Sequence, residues 1–222
     1  LVVFGDSLSD NGNVARFTDG PIWVESLAGH LNANLFDFAY GGATTGNDNP
    51  AIGSDITGLQ WQVGTFLSGS LSLNMDYTLF SVWAGANDFL QNRAFVEAAS
   101  NIGTALQDLY SDGARDILVG NLPDIGLTPS FFGTALQGTA TGWTLGFNTA
   151  LDDVLSGFAS AHEEASLYML DAYGIFDTYA PGTKEWLDLF WIDGFHPSEK
   201  GHSLIFETAA AAIGSPVPEP TT

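Results

Sequence analysis

The sequence predicts an α/β domain in which helices cover both faces of a parallel β-sheet. Short apolar runs alternate along the chain with segments whose apolar residues recur at helical spacing. The apolar runs lack the strict alternation of half-solvated strands, which is typical of strands buried on both sides. Strands that alternate with helices imply right-handed crossovers and hence a parallel sheet. Because 222 residues suffice for one large core, we expect a single domain over residues 1–214.

Five apolar runs are predicted strands, and they comprise residues 1–4, 35–39, 77–84, 116–120 and 166–171. The predicted helices comprise residues 21–31, 55–67, 89–110, 142–164 and 197–213. Pro21 is placed for a first helical turn and Asp55 for an N-cap. Residues 126–142, which are rich in Gly, Thr and Phe, are predicted to form a loop bordering a pocket. The proline-rich residues 215–222 are predicted to form an extended tail.

The composition excludes several classes of partner and chemistry. Only 5 Lys and Arg stand against 26 Asp and Glu, and the formal net charge of -21 opposes nucleic acid and anionic membrane surfaces. The chain has no cysteine, which excludes disulfides, thiolate catalysis and cysteine-based metal sites. No spacing matches a zinc motif, and no apolar stretch is long enough to predict a membrane span.

Polar clusters follow the first three predicted strands. They are Gly5-Asp6-Ser7, Gly41-Gly42-Ala43-Thr44 and Gly85-Ala86-Asn87-Asp88, and a fourth cluster, "WIDGFHPSEKGH", precedes the last helix. The carboxyl ends of parallel strands meet at one edge of a sheet, where such folds bind their ligands. The sequence therefore predicts one site built from all four clusters.

The residue types at this edge favour acyl transfer. Ser7 is the candidate nucleophile, and His196 is the candidate general base. Asp193 lies three residues before His196, so that one local turn can bring its carboxylate to the imidazole. The backbone N–H groups of Ser7 and Gly42 and the side-chain amide of Asn87 could stabilise an oxyanion. Adjacent glycines leave Gly41 as the alternative donor to Gly42.

Four segments, "FGDSLSDNGN", "FAYGGATT", "WAGANDF" and "DGFHPSEKGH", resemble in order the four blocks of the GDSL, or SGNH, hydrolases. The resemblance implies a flavodoxin-like three-layer α/β/α fold with strand order 2-1-3-4-5. It implies Ser7 as nucleophile and oxyanion donor, Gly42 and Asn87 as further donors, His196 as base and Asp193 as its partner. Asp37 stands where the second block commonly has asparagine, which puts a structural hydrogen bond in question.

The resemblance to the secreted lipase, esterase and haemolysin-like branch predicts a serine ester hydrolase that needs no metal or organic cofactor. Its substrate would be a small-molecule or lipid ester. An acetylesterase acting on polysaccharide is the alternative, and a catalytically silent extracellular binding module on the same fold is a third hypothesis. We expect a secreted or cell-surface bacterial protein, monomeric by default, whose chain starts at Leu1 after removal of a leader. The "VPEP" of the tail resembles the start of a PEP-CTERM sorting signal.

Each of these residues also has an ordinary structural interpretation. Ser7 alone could be a turn residue, and Asn87 could cap a helix. Asp6 is expected to support the turn, and Asp10 and Asn13 to hydrogen-bond within their own loop.

Other histidines and several aromatic residues are also interpreted as structural. His202 is expected at the surface or half-buried, His30 at a helix C-terminus, and His162 on a solvated helix face rather than at a metal. Aromatic residues in predicted loops or beside the third block could line an acyl pocket, and they are Trp83, Phe89, Phe131, Phe132, Trp191 and Phe195.

Overall fold

The computed structural model describes residues 1–214 and contains a five-stranded parallel sheet. Its strands are β1 (Val2–Gly5), β2 (Phe36–Asp37), β3 (Leu79–Trp83), β4 (Asp116–Gly120) and β5 (Ser166–Leu170). Their order is β2-β1-β3-β4-β5, and each neighbouring pair is parallel. The predicted fold class and strand order are confirmed. The predicted tail and its VPEP motif lie outside the described residues.

Helices connect the strands. They are α1 (Trp23–His30), α2 (Leu59–Ser68), α3 (Ala86–Leu90), α4 (Phe95–Ser111), α5 (Gln137–Ala161), α6 (Ala172–Asp177), α7 (Lys184–Leu187) and α8 (Glu199–Ile213). Short 3₁₀ turns occur at Pro50–Ile52, Met75–Tyr77 and Ile125–Leu127.

Successive strand residues point to opposite faces of the sheet and divide the core into two layers. On one face, Val2 and Phe4 of β1 pack with buried residues of α2, α4 and α5. On the other face, Val3 packs with α1, α6 and α8, and the rings of Trp23 and Trp83 meet edge-on at 5.7 Å. Helices therefore cover both faces, as the apolar runs predicted.

The predicted helix over residues 89–110 is two helices, α3 and α4. The backbone of Asn92 between them is left-handed, with φ of 55°, which no continuous α-helix accommodates. The carbonyl of Arg93 in the same break accepts a hydrogen bond of 2.8 Å from the indole of Trp143 on α5. The break leaves α3 as a short helix of its own directly after β3.

The predicted loop over residues 126–142 is also partly wrong, because α5 begins at Gln137. Gly138 and Gly142 weaken helix propensity in this segment. Ala140 and Thr144 are nevertheless fully buried, so tertiary packing extends the helix through the glycines.

The sequence pattern does not predict α6 and α7, which are too short to show a helical period. Both have side-chain N-caps, Asp171 and Thr183 respectively. Two predicted helix starts are wrong: Gly58 rather than Asp55 is the N-cap of α2, and Pro21 lies before the N-cap of α1 instead of in its first turn.

Asp37 ends β2 with a half-buried carboxylate. Its Oδ1 accepts a hydrogen bond of 2.8 Å from the N–H of Ala39, and its Oδ2 accepts one of 2.9 Å from the N–H of Asn11. The side chain at position 37 therefore forms structural hydrogen bonds although it is aspartate and not asparagine. Burial raises the pKa of Asp37 from 3.8 to about 7, because the two backbone donors offset only part of the desolvation of the charge.

We predict that Asp37→Asn makes stability less dependent on pH. In the unfolded chain the carboxyl loses its proton near 3.8, whereas in the folded protein it keeps it up to about pH 7. Between these values the folded state binds more protons, so Asp37 lowers the free energy of unfolding as the pH rises, by at most about 1.4 kcal/mol per pH unit. Urea unfolding at pH 5, 6, 7 and 8 measures the slope. Equal slopes in the variant and the wild type would contradict the pKa of Asp37.

Candidate active site

Ser7 lies on a tight turn directly after β1. The N–H and carbonyl of Gly5 both bond to the buried side-chain amide of Gln62 on α2, at 2.9 and 2.8 Å. A Cβ at Gly5 would lie 2.3 Å from the carbonyl oxygen of Trp83, so the close approach of β1 to β3 requires glycine. The Asp6 carboxylate accepts a backbone N–H two residues further on at 3.0 Å and closes the turn. Ser7 is thereby held at the carboxyl end of β1.

The hydroxyl of Ser7 is in hydrogen-bond contact with His196, which is 189 residues away in sequence. Ser7 Oγ lies 2.7 Å from His196 Nε2, and His196 Nδ1 lies 2.5 Å from Oδ2 of Asp193. Because the carboxylate accepts from Nδ1–H, Nε2 is left to accept the proton of the Ser7 hydroxyl. The structure therefore brings the three predicted residues into one continuous hydrogen-bonded chain.

Asp193 is held in place by the backbone of its own turn. Its Oδ1 accepts hydrogen bonds from the N–H groups of Phe195 at 2.9 Å and His196 at 3.0 Å. Burial by itself raises the pKa of Asp193, but these donors and the His196 ring outweigh it, and the pKa lies below its ordinary value of 3.8. The carboxylate is consequently ionised at neutral pH and can stabilise a positive imidazolium.

The two adjacent glycines after β2 have different surroundings. The N–H of Gly41 donates to Oδ2 of Asp10 at 2.7 Å. The N–H groups of Gly42 and Ser7, by contrast, have no protein acceptor among residues 1–214. Gly42 has φ of 85°, and a Cβ there would lie 2.6 Å from the side-chain oxygen of Asn49. Gly42, rather than Gly41, thus has an N–H available for a ligand.

Asn87 lies inside α3, and the interpretation of this residue as a helix cap is wrong because Gly85 is the N-cap. Its Nδ2 donates to Oδ2 of Asp6 at 3.3 Å, which leaves the second amide hydrogen available. Burial, with a contribution from the nearby carboxylate of Asp88, raises the pKa of Asp6 to about 7. Asp6 supports both the Ser7 turn and the Asn87 side chain.

Asp10 links the first sequence block to the second. Its fully buried carboxylate accepts four backbone N–H groups at 2.6 to 3.0 Å, three from its own loop and the fourth from Gly41. Asn13 adds a bond of 2.8 Å from its side-chain amide to the carbonyl of Ala39. The predicted hydrogen bonds within the loop are present for Asp10, whereas the side chain of Asn13 bonds instead to the carbonyls of Asp37 and Ala39 and ties the loop to the second sequence block.

The remaining histidines lie outside this chain of hydrogen bonds. The prediction that His202 is exposed or half-buried is wrong, since it is only 2% exposed and burial lowers its pKa to about 3. His30 is the last residue of α1, as predicted. His162 caps the C-terminus of α5 with its ring 3.9 Å from that of Tyr110, so it is not on a fully solvated face. In the described part of the chain, no three potential ligands are grouped to hold a metal.

Two aromatic rings contact the imidazole of His196. Phe195 meets it edge-on at 5.3 Å and contacts Phe131 at 6.2 Å, and Phe131 in turn contacts Phe89 at 5.6 Å. The ring of Phe17 stacks on the imidazole at 4.8 Å. Phe17 was not predicted, because it lies in a loop outside every recognisable block and only its position ten residues after Ser7 hints at a role.

Other predicted aromatic residues lie away from the imidazole. Phe132 packs on Trp186 at 5.5 Å, and the ring of Trp83 is buried with its Nε1–H donating to the carbonyl of Asn121 at 2.9 Å.

Of the helices within residues 1–214, none has the length and apolarity needed to span a bilayer.

Comparison with known proteins shows which family the chain belongs to. Residues 1–209 match the family model of the GDSL-like lipases and acylhydrolases. The thermolabile hemolysin of Vibrio parahaemolyticus is 32% identical over 152 residues, covering 59% of this chain and 35% of that protein. The phosphatidylcholine-sterol acyltransferase of Aeromonas hydrophila is 32% identical over 156 residues, covering 59% and 46%. The chain thus spans less than half the length of these two relatives.

Solved structures share the fold. A member of the lipolytic G-D-S-L family from Veillonella parvula has a TM-score of 0.65 and 18% identity, with 94% of each chain covered. The family model matches nearly the whole described chain, and the strand order is the one that this family's sequence blocks imply. The chain belongs to the GDSL-like lipase/acylhydrolase family.

Proposed function

We propose that the protein hydrolyses carboxylic esters through an acyl-enzyme on Ser7. The observation that carries the proposal is the unbroken hydrogen-bonded chain from Ser7 Oγ through His196 to Asp193. Such a chain lets a weakly acidic hydroxyl lose its proton as it attacks a carbonyl carbon.

In the proposed mechanism, Ser7 Oγ forms a bond to the ester carbonyl carbon while His196 Nε2 takes the hydroxyl proton. The imidazolium faces the ionised carboxylate of Asp193, which keeps its ring orientation and offsets its charge. Collapse of the tetrahedral intermediate expels the alcohol, which receives its proton from His196. Water then attacks the acyl-enzyme with His196 again as base, and the acid and free Ser7 are released.

The oxyanion is assigned to three donors. The N–H groups of Ser7 and Gly42 have no competing acceptor in the described protein, and the Asn87 amide has a second hydrogen to donate. Asp6 accepts the first amide hydrogen of Asn87 and so turns its nitrogen, not its oxygen, toward the turn that carries Ser7. Preorganised donors of this kind pay little reorganisation cost when charge develops.

Exposed apolar side chains in the segments that follow the strands favour lipid or other acyl esters over acetylated polysaccharide. Each of the five segments contributes at least one, and they include Val14, Ile52, Ile56, Leu90, Phe132, Leu136, Leu187 and Ile192. Ile192, which precedes Asp193 in sequence, is 92% exposed, and an exposed apolar side chain next to the triad suits an apolar substrate. The name of the related phosphatidylcholine-sterol acyltransferase supports a lipid ester. The single-domain boundary at residue 214 and a secreted or cell-surface location stay predictions.

We predict that Ser7→Ala lowers kcat on a p-nitrophenyl acyl ester by roughly four to six orders of magnitude without loss of folding. The cause is loss of the nucleophile, since the turn itself is held by backbone and Asp6 contacts. Ser9→Ala is the matched control, because Ser9 is a buried serine of the same turn that contacts Trp23 instead. Near-native turnover by Ser7→Ala would refute the acyl-enzyme.

Asn87→Ala is expected to lower kcat by about 10²–10³-fold with little change in KM, because its amide would act on the oxyanion rather than on the bound ester. Asn101→Ala is the control, since Asn101 belongs to the neighbouring buried network through Thr45. Steady-state kinetics on the same ester measure both. A change in KM with kcat unaltered would contradict the assigned role.

A panel of esters tests the substrate class. We expect kcat/KM to rise from acetyl to medium-chain and long-chain acyl esters and to exceed that for acetylated xylan. Ile192→Asn should reduce the preference for long chains, whereas Val96→Asn, at a 60% exposed position on α4, should not. Higher activity on the acetylated polysaccharide would favour the acetylesterase instead, and no activity on any ester would favour the binding module.

A further inference from the structure

Phe17 lies face to face with the imidazole of His196. The two ring centroids are 4.8 Å apart and the rings are inclined by 30°. We propose that Phe17 is a positioning residue, which holds the His196 ring against Ser7 and stabilises the imidazolium that forms when His196 takes the Ser7 proton. This inference rests on the proposed serine mechanism and adds to it a residue from a fifth region of the sequence.

The loop that carries Phe17 is anchored on both sides of the ring. Before it, Arg16 forms an ion pair of 2.6 Å with Glu25 on α1. After it, the Asp19 carboxylate accepts the N–H of Glu199 at the start of α8 at 2.8 Å. Because α8 follows directly on the His196 segment, the second anchor ties Phe17 to the segment on which it acts.

Gly41 provides the space for the Phe17 ring. A Cβ at Gly41 would lie 2.3 Å from Cε2 and 2.6 Å from Cζ of Phe17. The paired glycines after β2 therefore have separate purposes: Gly42 adopts a positive φ and offers its N–H, and Gly41 admits the aromatic ring. Phe17 therefore lies between Gly41, which precedes the Gly42 donor, and the base His196.

The chemistry of the stack suits a ring that becomes a cation. Both imidazole nitrogens are occupied in its plane, by Ser7 and Asp193, and the edge of Phe195 is 5.3 Å away. The face is covered by Phe17, whose π electrons carry partial negative charge and attract a cation. An aliphatic side chain would fill the space without this attraction.

Charged groups on every neighbouring element enter the pH dependence. Asp193 contacts the imidazole from its own segment, and His202 on α8 is kept neutral because burial lowers its pKa to about 3. The loop of Phe17 contributes Asp10, whose carboxylate is engaged by four N–H groups, together with the Arg16 and Asp19 anchors. The Ser7 turn contributes Asp6, whose pKa burial raises to about 7. None of these groups is altered by an uncharged substitution at Phe17.

The test compares Phe17→Leu with Phe17→Tyr. Leucine removes the π face, and we expect kcat on a p-nitrophenyl ester to fall about tenfold with KM nearly unchanged. The acidic limb of the rate profile should move to lower pH by about 0.3 to 0.7 unit, a two- to fivefold loss in proton affinity of the imidazole. Phe17→Tyr should restore most of both. If Phe17 only excluded water, the acidic limb of Phe17→Leu would instead move to higher pH, because hydration of the imidazole would raise its proton affinity.

Two further measurements keep the outcomes separate. NMR titration of the His196 ring in the Ser7→Ala background reports the proton affinity without turnover, and it should show the same downward shift with Phe17→Leu. Phe206→Leu is the matched control, because Phe206 meets His30 edge-on at 5.7 Å on the helical layer of α1 and α8. If Ser7→Ala itself stays active, the serine mechanism fails. If Ser7→Ala is inactive but Phe17→Leu matches the wild type, the inference about Phe17 is overturned. It is also overturned if Phe17→Tyr is as impaired as Phe17→Leu.

Discussion

The position of β1 between β2 and β3 is the constraint on which the rest of the site depends. Parallel pairing on both sides brings the segments after all three strands to one edge. The last residue of β1 must be glycine, because a Cβ at Gly5 would meet the carbonyl oxygen of Trp83. Gln62 then occupies both hydrogen-bonding groups of Gly5. Ser7 follows at a defined point, with Gly42 and Asn87 arriving from either side.

Buried carboxylates organise this edge. Asp10 accepts four backbone N–H groups, Asp88 accepts the N–H and hydroxyl of Thr45 at 2.9 Å each, and Asp6 connects the Ser7 turn to Asn87. Burial raises the pKa values of Asp6 and Asp88, which is the electrostatic cost of using carboxylates as internal acceptors. The high acidity of the chain is thus not confined to its solvated surface. Its carboxylates also hold the loops that a hydrolytic site of this design needs.

The sequence predicted the fold, and which polar residues the structure brings together, more successfully than it predicted their surroundings. Sheet order followed from the block resemblance, and Ser7, Asp193 and His196 carry functional groups that a motif can mark. Phe17 carries no such mark, because the role proposed for it depends on a stacking contact across 179 residues that only the folded chain creates. The burial of His202 was missed for the same reason: helix periodicity does not reveal which loops cover a given face.

Local structure shows the same division. Residues 116–120 were predicted with the observed bounds of β4, since a buried strand between clear turns has a strong local signal. The break at Asn92 and the early start of α5 at Gln137 were not predicted, because both depend on contacts with Trp143 and with the core rather than on propensity. The choice between Gly41 and Gly42 as the candidate oxyanion donor depends on the hydrogen bond from the N–H of Gly41 to Asp10, which the sequence does not reveal.

A crystal structure of the protein inactivated by an alkyl fluorophosphonate is the decisive test of Ser7 as nucleophile, because the adduct mimics the tetrahedral intermediate. We expect a covalent bond from phosphorus to Ser7 Oγ. The phosphoryl oxygen should lie within hydrogen-bond distance of the N–H groups of Ser7 and Gly42 and of Asn87 Nδ2. An adduct on another residue, or a phosphoryl oxygen turned away from Gly42 and Asn87, would contradict the proposed mechanism.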